Sequence, residues 1–180
     1  HHNLLVYTND FAIALLLGRR NGNRVVMLGG ELQDNEDATH GWDTIEQLSR
    51  YHADFAFIGT GGITADGQMS DFSRAAAELR SRMLQAASVA CVVADHTKFG
   101  RNAGVLVKHF EKAAYLISDM APEPELAAAL KARGPVLRIA CRRISRFAAA
   151  SSHIGRRYSS QIRPSAATAA FTGIGLVSIK

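Results

Sequence analysis

The chain has 180 residues, 47% of them hydrophobic and 21% charged, a balance that fits one globular domain and excludes an intrinsically disordered chain. No apolar run is long enough to cross a bilayer, no signal-peptide pattern opens the chain, and the two cysteines, Cys91 and Cys141, exclude a disulfide scaffold or a zinc site; the expected compartment is the cytoplasm. The net charge of +5 is unevenly placed: residues 1–125 hold all 16 acidic residues beside 11 Lys and Arg, whereas residues 126–180 hold ten Lys and Arg and no acid.

Strand-length apolar runs alternate with segments of helical period. Asn3–Thr8 reads as a strand, and Asp10–Leu17 as a helix with Ala12, Leu15 and Leu16 on one face and Gly18 near its end. Arg24–Leu28 is a second strand, stopped by Gly29-Gly30. Trp42–Tyr51 places Trp42, Ile45 and Leu48 at helical spacing, and Phe55–Ile58 is a third strand, stopped by Gly59-Thr60-Gly61-Gly62. Ser73–Ala87 follows as a helix with Ala76, Leu79 and Met83 inward. Ser88–Ala94 is the fourth strand, with Cys91 a small core residue, and Ala113–Ile117 the fifth. Glu123–Ala132 is a helix behind Pro122 and Pro124, ended by Gly134-Pro135, before a last short strand over Val136–Ile139. From Cys141 onward no element is placed. Continuous apolar strands alternating with helices predict a Rossmann-like α/β fold, a mostly parallel sheet with helices on both faces.

In such a sheet ligands bind outside the carboxyl ends of the strands. Four predicted strand ends carry polar or glycine-rich loops: Thr8-Asn9-Asp10, Gly29-Gly30-Glu31, Gly59 to Gly62, and Asp95 to Asn102. Glycines let backbone N–H groups approach a ligand, and beside Lys98 and Arg101 they make a phosphate cradle. Thr8, Asn9 and Asp95 can meet hydroxyls. The set suits a small, polyhydroxylated, phosphorylated molecule. Each residue also has a plain structural role open to it: Asn9 or Asp10 as a helix cap, Gly29-Gly30 as a turn, Lys98 and Arg101 as a solvated pair. Gly59 to Gly62 is neither a dinucleotide fingerprint, since position 64 is Thr, nor a P-loop, since no Gly-Lys-Ser/Thr follows. His40, His52, His96 and His109 have no metal-binding spacing, and no nucleophile motif is present, so neither a metal nor a cofactor is expected.

The segments "VYTND" (6–10), "LGGEL" (28–32), "ADFAFIGTGGI" (53–63), "DGQMSDF" (66–72) and "VVADHTKFGRNA" (92–103) occur in the order and spacing of the C-terminal effector-sensing domain of DeoR-family transcriptional repressors, which the chain resembles over residues 3 to about 140. The resemblance implies a fold related to ribose-5-phosphate isomerase and a non-catalytic sensor, oligomeric in the intact protein, whose phosphorylated sugar or polyol effector changes operator affinity. The motifs "DHTKFGRNA" and "DGQMSDF" make glycerol 3-phosphate the leading candidate effector. They also imply that Asp95 and Lys98 line its site. The implied effector set is Thr8, Asn9, Gly29, Gly30, Gly59, Thr60, Gly61, Gly62, Arg80, Asp95, Lys98 and Arg101. Family members place a winged helix-turn-helix before the sensor, so DNA is expected to be met only through a domain that this chain lacks. An Asp-x-Gly-Thr-Thr loop also normally precedes "VYTND". Ala76 and Arg80 stand where the family usually carries a glutamate and a lysine; Arg80 keeps the charge with different geometry. The expected organisation is a sensor over 1–140 and a basic tail over 141–180.

Two other readings differ in kind. An isomerase of the same fold would use Asp95 as base and Lys98 to hold enediolate charge, with Glu31 or Asp71 as second carboxylate. A nucleic-acid binder would act through the basic tail, whose aromatic residues Phe147, Tyr158 and Phe171 are few for base stacking.

Overall fold

The computed structural model describes residues 2–32, 37–140 and 174–179. In chain order the first half holds β1 (Leu4–Thr8), α1 (Phe11–Gly18), β2 (Arg24–Met27), β3 (Glu31–Leu32), β4 (Thr39–His40), α2 (Trp42–Ser49), β5 (Ala53–Ile58), β6 (Gly62–Ile63), β7 (Met69–Asp71) and α3 (Arg74–Gln85). Then come β8 (Ala87–Val93), a 3-10 turn over His96–Lys98, β9 (Val105–Leu106), a second turn over Phe110–Lys112, β10 (Ala113–Ser118), α4 (Pro124–Arg133), β11 (Val136–Ile139) and β12 (Ile174–Ile179). Of the basic tail expected over 141–180, only β12 falls within the described residues; Cys141, Phe147, Tyr158 and Phe171 lie outside them, as does His1.

The main sheet has seven strands in the order β11-β10-β8-β5-β12-β1-β2. β1 and β2 are parallel, as are β5, β8, β10 and β11. β12 is antiparallel to both of its neighbours, β1 and β5. All six other strands therefore point the same way, and their carboxyl ends share one rim. β12, in the stretch where the sequence placed no element, is the correction of most consequence. It runs through the middle of the sheet, and Leu176 is fully buried there.

Register decides the faces, because cross-strand partners project to the same side. Tyr7, Leu176, Ala56 and Ala90 form one such row, and Ile58, Val92 and Leu116 another. The core builds on this side with Leu79, Met83 and Leu84 of α3 and Leu126 and Leu130 of α4. Right-handed crossovers explain the layering. β5, β8, β10 and β11 step one way along the sheet, so the helices between them share a face. β1 to β2 steps the other way, which puts α1 on the opposite side, the side of Val6.

The caps are local. The Asp10 carboxylate accepts from the Ile13 N–H at 2.8 Å and starts α1, and Ser73 Oγ accepts from the Ala76 N–H at 3.1 Å and starts α3. Pro124 occupies the first turn of α4, and Gly134, with φ of 118°, ends it. Two helix faces differ from the sequence expectation. In α1, Ile13, Ala14, Leu16 and Leu17 are the half-buried residues, while Ala12 is exposed and Leu15 is 56% exposed. In α2, Ile45 and Leu48 are buried, but Trp42 is 71% exposed, because it sits at the first helical position and projects beyond the packed turn.

Candidate functional site

Two pairs of loops occupy the carboxyl rim. The first pair follows β1 and β2. Thr8 and Asn9 are both buried. Thr8 Oγ1 accepts from the Asp10 N–H at 3.1 Å, and Asn9 Nδ2 donates to the Thr39 carbonyl at 2.7 Å. Asn9 Oδ1 is buried and has no hydrogen-bond partner among the described residues. Gly29 is held at both ends of its peptide: its N–H donates to Gln47 Oε1 at 3.0 Å, and its carbonyl accepts from Thr44 Oγ1 at 2.6 Å. Gly30 has φ of 145°, and a β-carbon there would strike Thr44 Oγ1 and the His40 carbonyl. Glycine is needed at this position for close packing against α2.

The second pair follows β5 and β8. The Gly59 carbonyl accepts from Arg80 Nε at 2.8 Å. Arg80 Nη1 also meets Asp71 Oδ2 at 2.7 Å, and the two side chains are only 4% and 5% exposed. That buried pair lies outside hydrogen-bond alignment, while the Asp71 Oδ1 atom accepts from the Phe72 N–H at 2.7 Å. Arg80, expected among the effector contacts, is therefore tied to the Gly59 loop and to Asp71. Thr60 Oγ1 lies 3.0 Å from the Gly62 carbonyl and 3.1 Å from the Ser70 carbonyl. Gly61 and Gly62 sit directly against Ala103 and Arg101, and Ser70 Oγ accepts from the Ala103 N–H at 3.1 Å. The β5 loop and the β8 loop are thus interlocked through β7.

In the β8 loop the alternation of exposed and buried residues matters most. Asp95, His96 and Thr97 are exposed, and Lys98 is 2% exposed. Asp95 caps the 3-10 turn, its Oδ1 accepting from the Thr97 N–H at 3.0 Å and from the Thr97 hydroxyl. The Lys98 N–H closes the turn on the Asp95 carbonyl at 3.0 Å. This sends the Lys98 side chain inward, and its Nζ is buried with no hydrogen-bond partner among the described residues. Arg101 is exposed. Asp119, just past β10, accepts from the His96 N–H at 2.7 Å and pairs with His96 Nδ1 at 2.8 Å. Desolvation raises the Asp119 carboxyl, but the hydrogen bonds from His96 and its own backbone outweigh it and leave the group below its ordinary value of 3.8.

All four loops therefore share one rim, but not at equal distances. β5 and β8 are adjacent, as are β1 and β2, whereas β12 separates β5 from β1. At 4.7–4.9 Å per strand, the β1 and β8 ends lie about 14 Å apart. Gly59 to Gly62, Asp95, Lys98 and Arg101 form one group, and Thr8, Asn9, Gly29 and Gly30 a second. Among the described residues no group of His, Cys, Asp and Glu could hold a metal ion, and no helix is long and apolar enough to cross a membrane.

The family description "DeoR C terminal sensor domain" matches residues 1–120. The chain belongs to the DeoR family. The glycerol-3-phosphate regulon repressor of Escherichia coli (strain K12) is 31% identical over 105 residues, 58% of this chain and 42% of the repressor. The HTH-type transcriptional repressor GlcR of Bacillus subtilis (strain 168) is 31% identical over 117 residues, 65% of this chain and 45% of GlcR. The L-fucose operon activator of Escherichia coli (strain K12) is 27% identical over 117 residues, 65% of this chain and 48% of the activator. The match spans less than half the length of each of these relatives. This DeoR sensor domain is thus similar to part of transcriptional repressors and of an activator.

Within the DeoR domain, sequence reasoning missed Ser70 and Asp119 as rim residues, and it raised Asp71 only as a second carboxylate for an isomerase. Asp119 was open to discovery. It is a polar residue at the carboxyl end of a predicted strand, the same signal that singled out Asp95. Ser70 carried no such signal, because β7 is only three residues long.

Proposed function

We propose that the chain senses a phosphorylated sugar or polyol, with glycerol 3-phosphate the leading candidate, and that binding modulates the DNA affinity of a domain outside residues 1–180. The observation that carries the reading is the buried Lys98 Nζ at the strand-end rim, which has no hydrogen-bond partner among the described residues. A buried ammonium without a counter-charge is costly, and a dianionic phosphate ester removes that cost through charge-assisted hydrogen bonds. The interlocked Gly59–Gly62 and Asp95–Arg101 loops surround the phosphate, with Arg101 at the open side. Thr8, Asn9, Gly29 and Gly30 form the far wall, where Asn9 Oδ1 is an acceptor for a hydroxyl. Arg80 shapes the site from behind. The reading is of a non-catalytic, cytoplasmic module, oligomeric in the intact regulator, in which Asp95 serves as a cap and not as a base. Linkage supplies the mechanism: an effector that favours one conformation shifts DNA affinity by the same coupling free energy.

The test is a thermal-shift screen of phosphate esters and their unphosphorylated parents. Glycerol 3-phosphate is expected to raise the melting temperature, and glycerol is not. Lys98→Met is expected to abolish the shift while leaving the ligand-free protein as stable as before or slightly more so, since it removes an uncompensated buried charge. A Lys98→Met protein that keeps the full response ends this reading.

A further inference from the structure

The turn that buries Lys98 is held by two carboxylates from different parts of the chain. Asp95 takes the Thr97 N–H from within the turn. Asp119 comes from the neighbouring strand and takes the His96 N–H at 2.7 Å and His96 Nδ1 at 2.8 Å, with Ser118 Oγ 3.3 Å from the same carboxylate. The reach is set by register. β10 runs parallel to β8, with Ile117 opposite Val93, and the Ala94 N–H still donates to the Ile117 carbonyl at 3.0 Å. After that bond β8 leaves the sheet, and Asp119, the residue just past β10, reaches across to the turn that follows β8.

From this geometry we propose that Asp119 is a positioning residue for the effector site, clamping the His96 amide and ring so that the Asp95–Lys98 turn keeps the Lys98 ammonium directed inward. The inference rests on the reading that Lys98 meets the phosphate. Asp119 itself touches no effector: its two oxygens are engaged by His96 and Ser118. It also supports no core, since its side chain is 43% exposed and that of His96 48% exposed. The clamp thus determines where Lys98 points and adds little to burial. Without it, the first N–H groups of the turn lose one of their two acceptors, and the buried lysine has every reason to swing out to water.

The experiment uses the full chain with Asp119→Ala and Asp119→Asn, the latter keeping one acceptor oxygen. Acetylation of Lys98 by an amine-reactive ester, followed by peptide mass spectrometry, reads its accessibility without any effector. Labelling of Lys98 is expected to rise several-fold in Asp119→Ala and less in Asp119→Asn, with the melting temperature nearly unchanged. Glycerol 3-phosphate affinity is expected to fall about tenfold in Asp119→Ala, with partial recovery in Asp119→Asn. Unchanged Lys98 labelling in both variants overturns the proposal, and so does increased labelling with unaltered affinity. If the unsubstituted protein binds no glycerol 3-phosphate, the effector reading fails on its own, and the labelling arm still decides whether Asp119 orients Lys98.

Discussion

The two halves of the carboxyl rim use similar residues for different ends. Beside β1 and β2, the polar groups knit the loops to one another: Thr39 Oγ1 donates to the Leu28 carbonyl at 2.6 Å, Thr44 Oγ1 to the Gly29 carbonyl at 2.6 Å, and Asn9 Nδ2 to the Thr39 carbonyl at 2.7 Å. Beside β5 and β8, the Arg80–Asp71 ion pair and the hydrogen-bonded Thr60 and Ser70 surround a buried ammonium that has no hydrogen-bond partner among the described residues. The lesson is that residue type at a strand end does not separate a ligand contact from a loop fastener. What separates them is whether the protein itself already satisfies the group, as it does for the Thr39 and Thr44 hydroxyls but not, among the described residues, for Asn9 Oδ1 or Lys98 Nζ.

The contrast can be tested by breaking each half in turn. The largest effect is expected at Asp71→Ala, which takes the carboxylate of the ion pair away from the buried Arg80 guanidinium behind the Gly59 loop. Denaturant unfolding should show a loss of about 3–5 kcal/mol. A loss below 1 kcal/mol would mean that water reaches the pair. Next is Thr44→Val, behind the half read as the far wall of the site. It removes the hydrogen bond to the Gly29 carbonyl and should cost about 1–2 kcal/mol of stability, while the thermal shift on adding glycerol 3-phosphate stays the same size. A lost shift would move that loop from the wall of the site into its centre. The smallest effect is expected at Asp10→Asn. Burial raises the Asp10 carboxyl above its ordinary value of 3.8, against the lowering effect of the Ile13 and Ala12 N–H groups, and Asp37 raises it further. A carboxyl raised by folding disfavours the folded state once it ionises, so its cost is present at neutral pH and absent when pH falls below the ordinary value. Asn caps a helix as well as Asp. The substitution should therefore stabilise slightly at pH 7, by less than the roughly 1 kcal/mol of a capping bond. The gain should disappear in melts below the ordinary carboxylate range, and a gain that persists there would refute the assignment.

Much of the fold was legible in the chain because the signals are local. Apolar runs of strand length, a cap at Asn9 or Asp10 (Asp10 in the structure), a helix opening at Ser73, and the Pro124 start with the Gly134 stop are properties of a few neighbouring residues, and the parallel strands and helices stand where those residues place them. The inward face of α3 followed from Ala76, Leu79 and Met83, because that helix packs along its whole length. Trp42 and Leu15 misled for the opposite reason. Helical spacing states that residues share a face, but not whether anything lies against it.

What the sequence determined by itself was the list of strand-end loops and the kinship that their motifs carry. Tertiary structure alone decided three things. It inserted β12 between β1 and β5, a pairing with a partner more than a hundred residues away that no local pattern encodes. It bound Arg80 to Asp71 and left Lys98 Nζ without a hydrogen-bond partner among the described residues, although both are cations of the same rim. It brought Asp119 across from β10 to hold the turn beneath Lys98. Each depends on which distant groups arrive as neighbours once the sheet has formed, and the availability of a charge is a property of that neighbourhood and not of the residue that bears it.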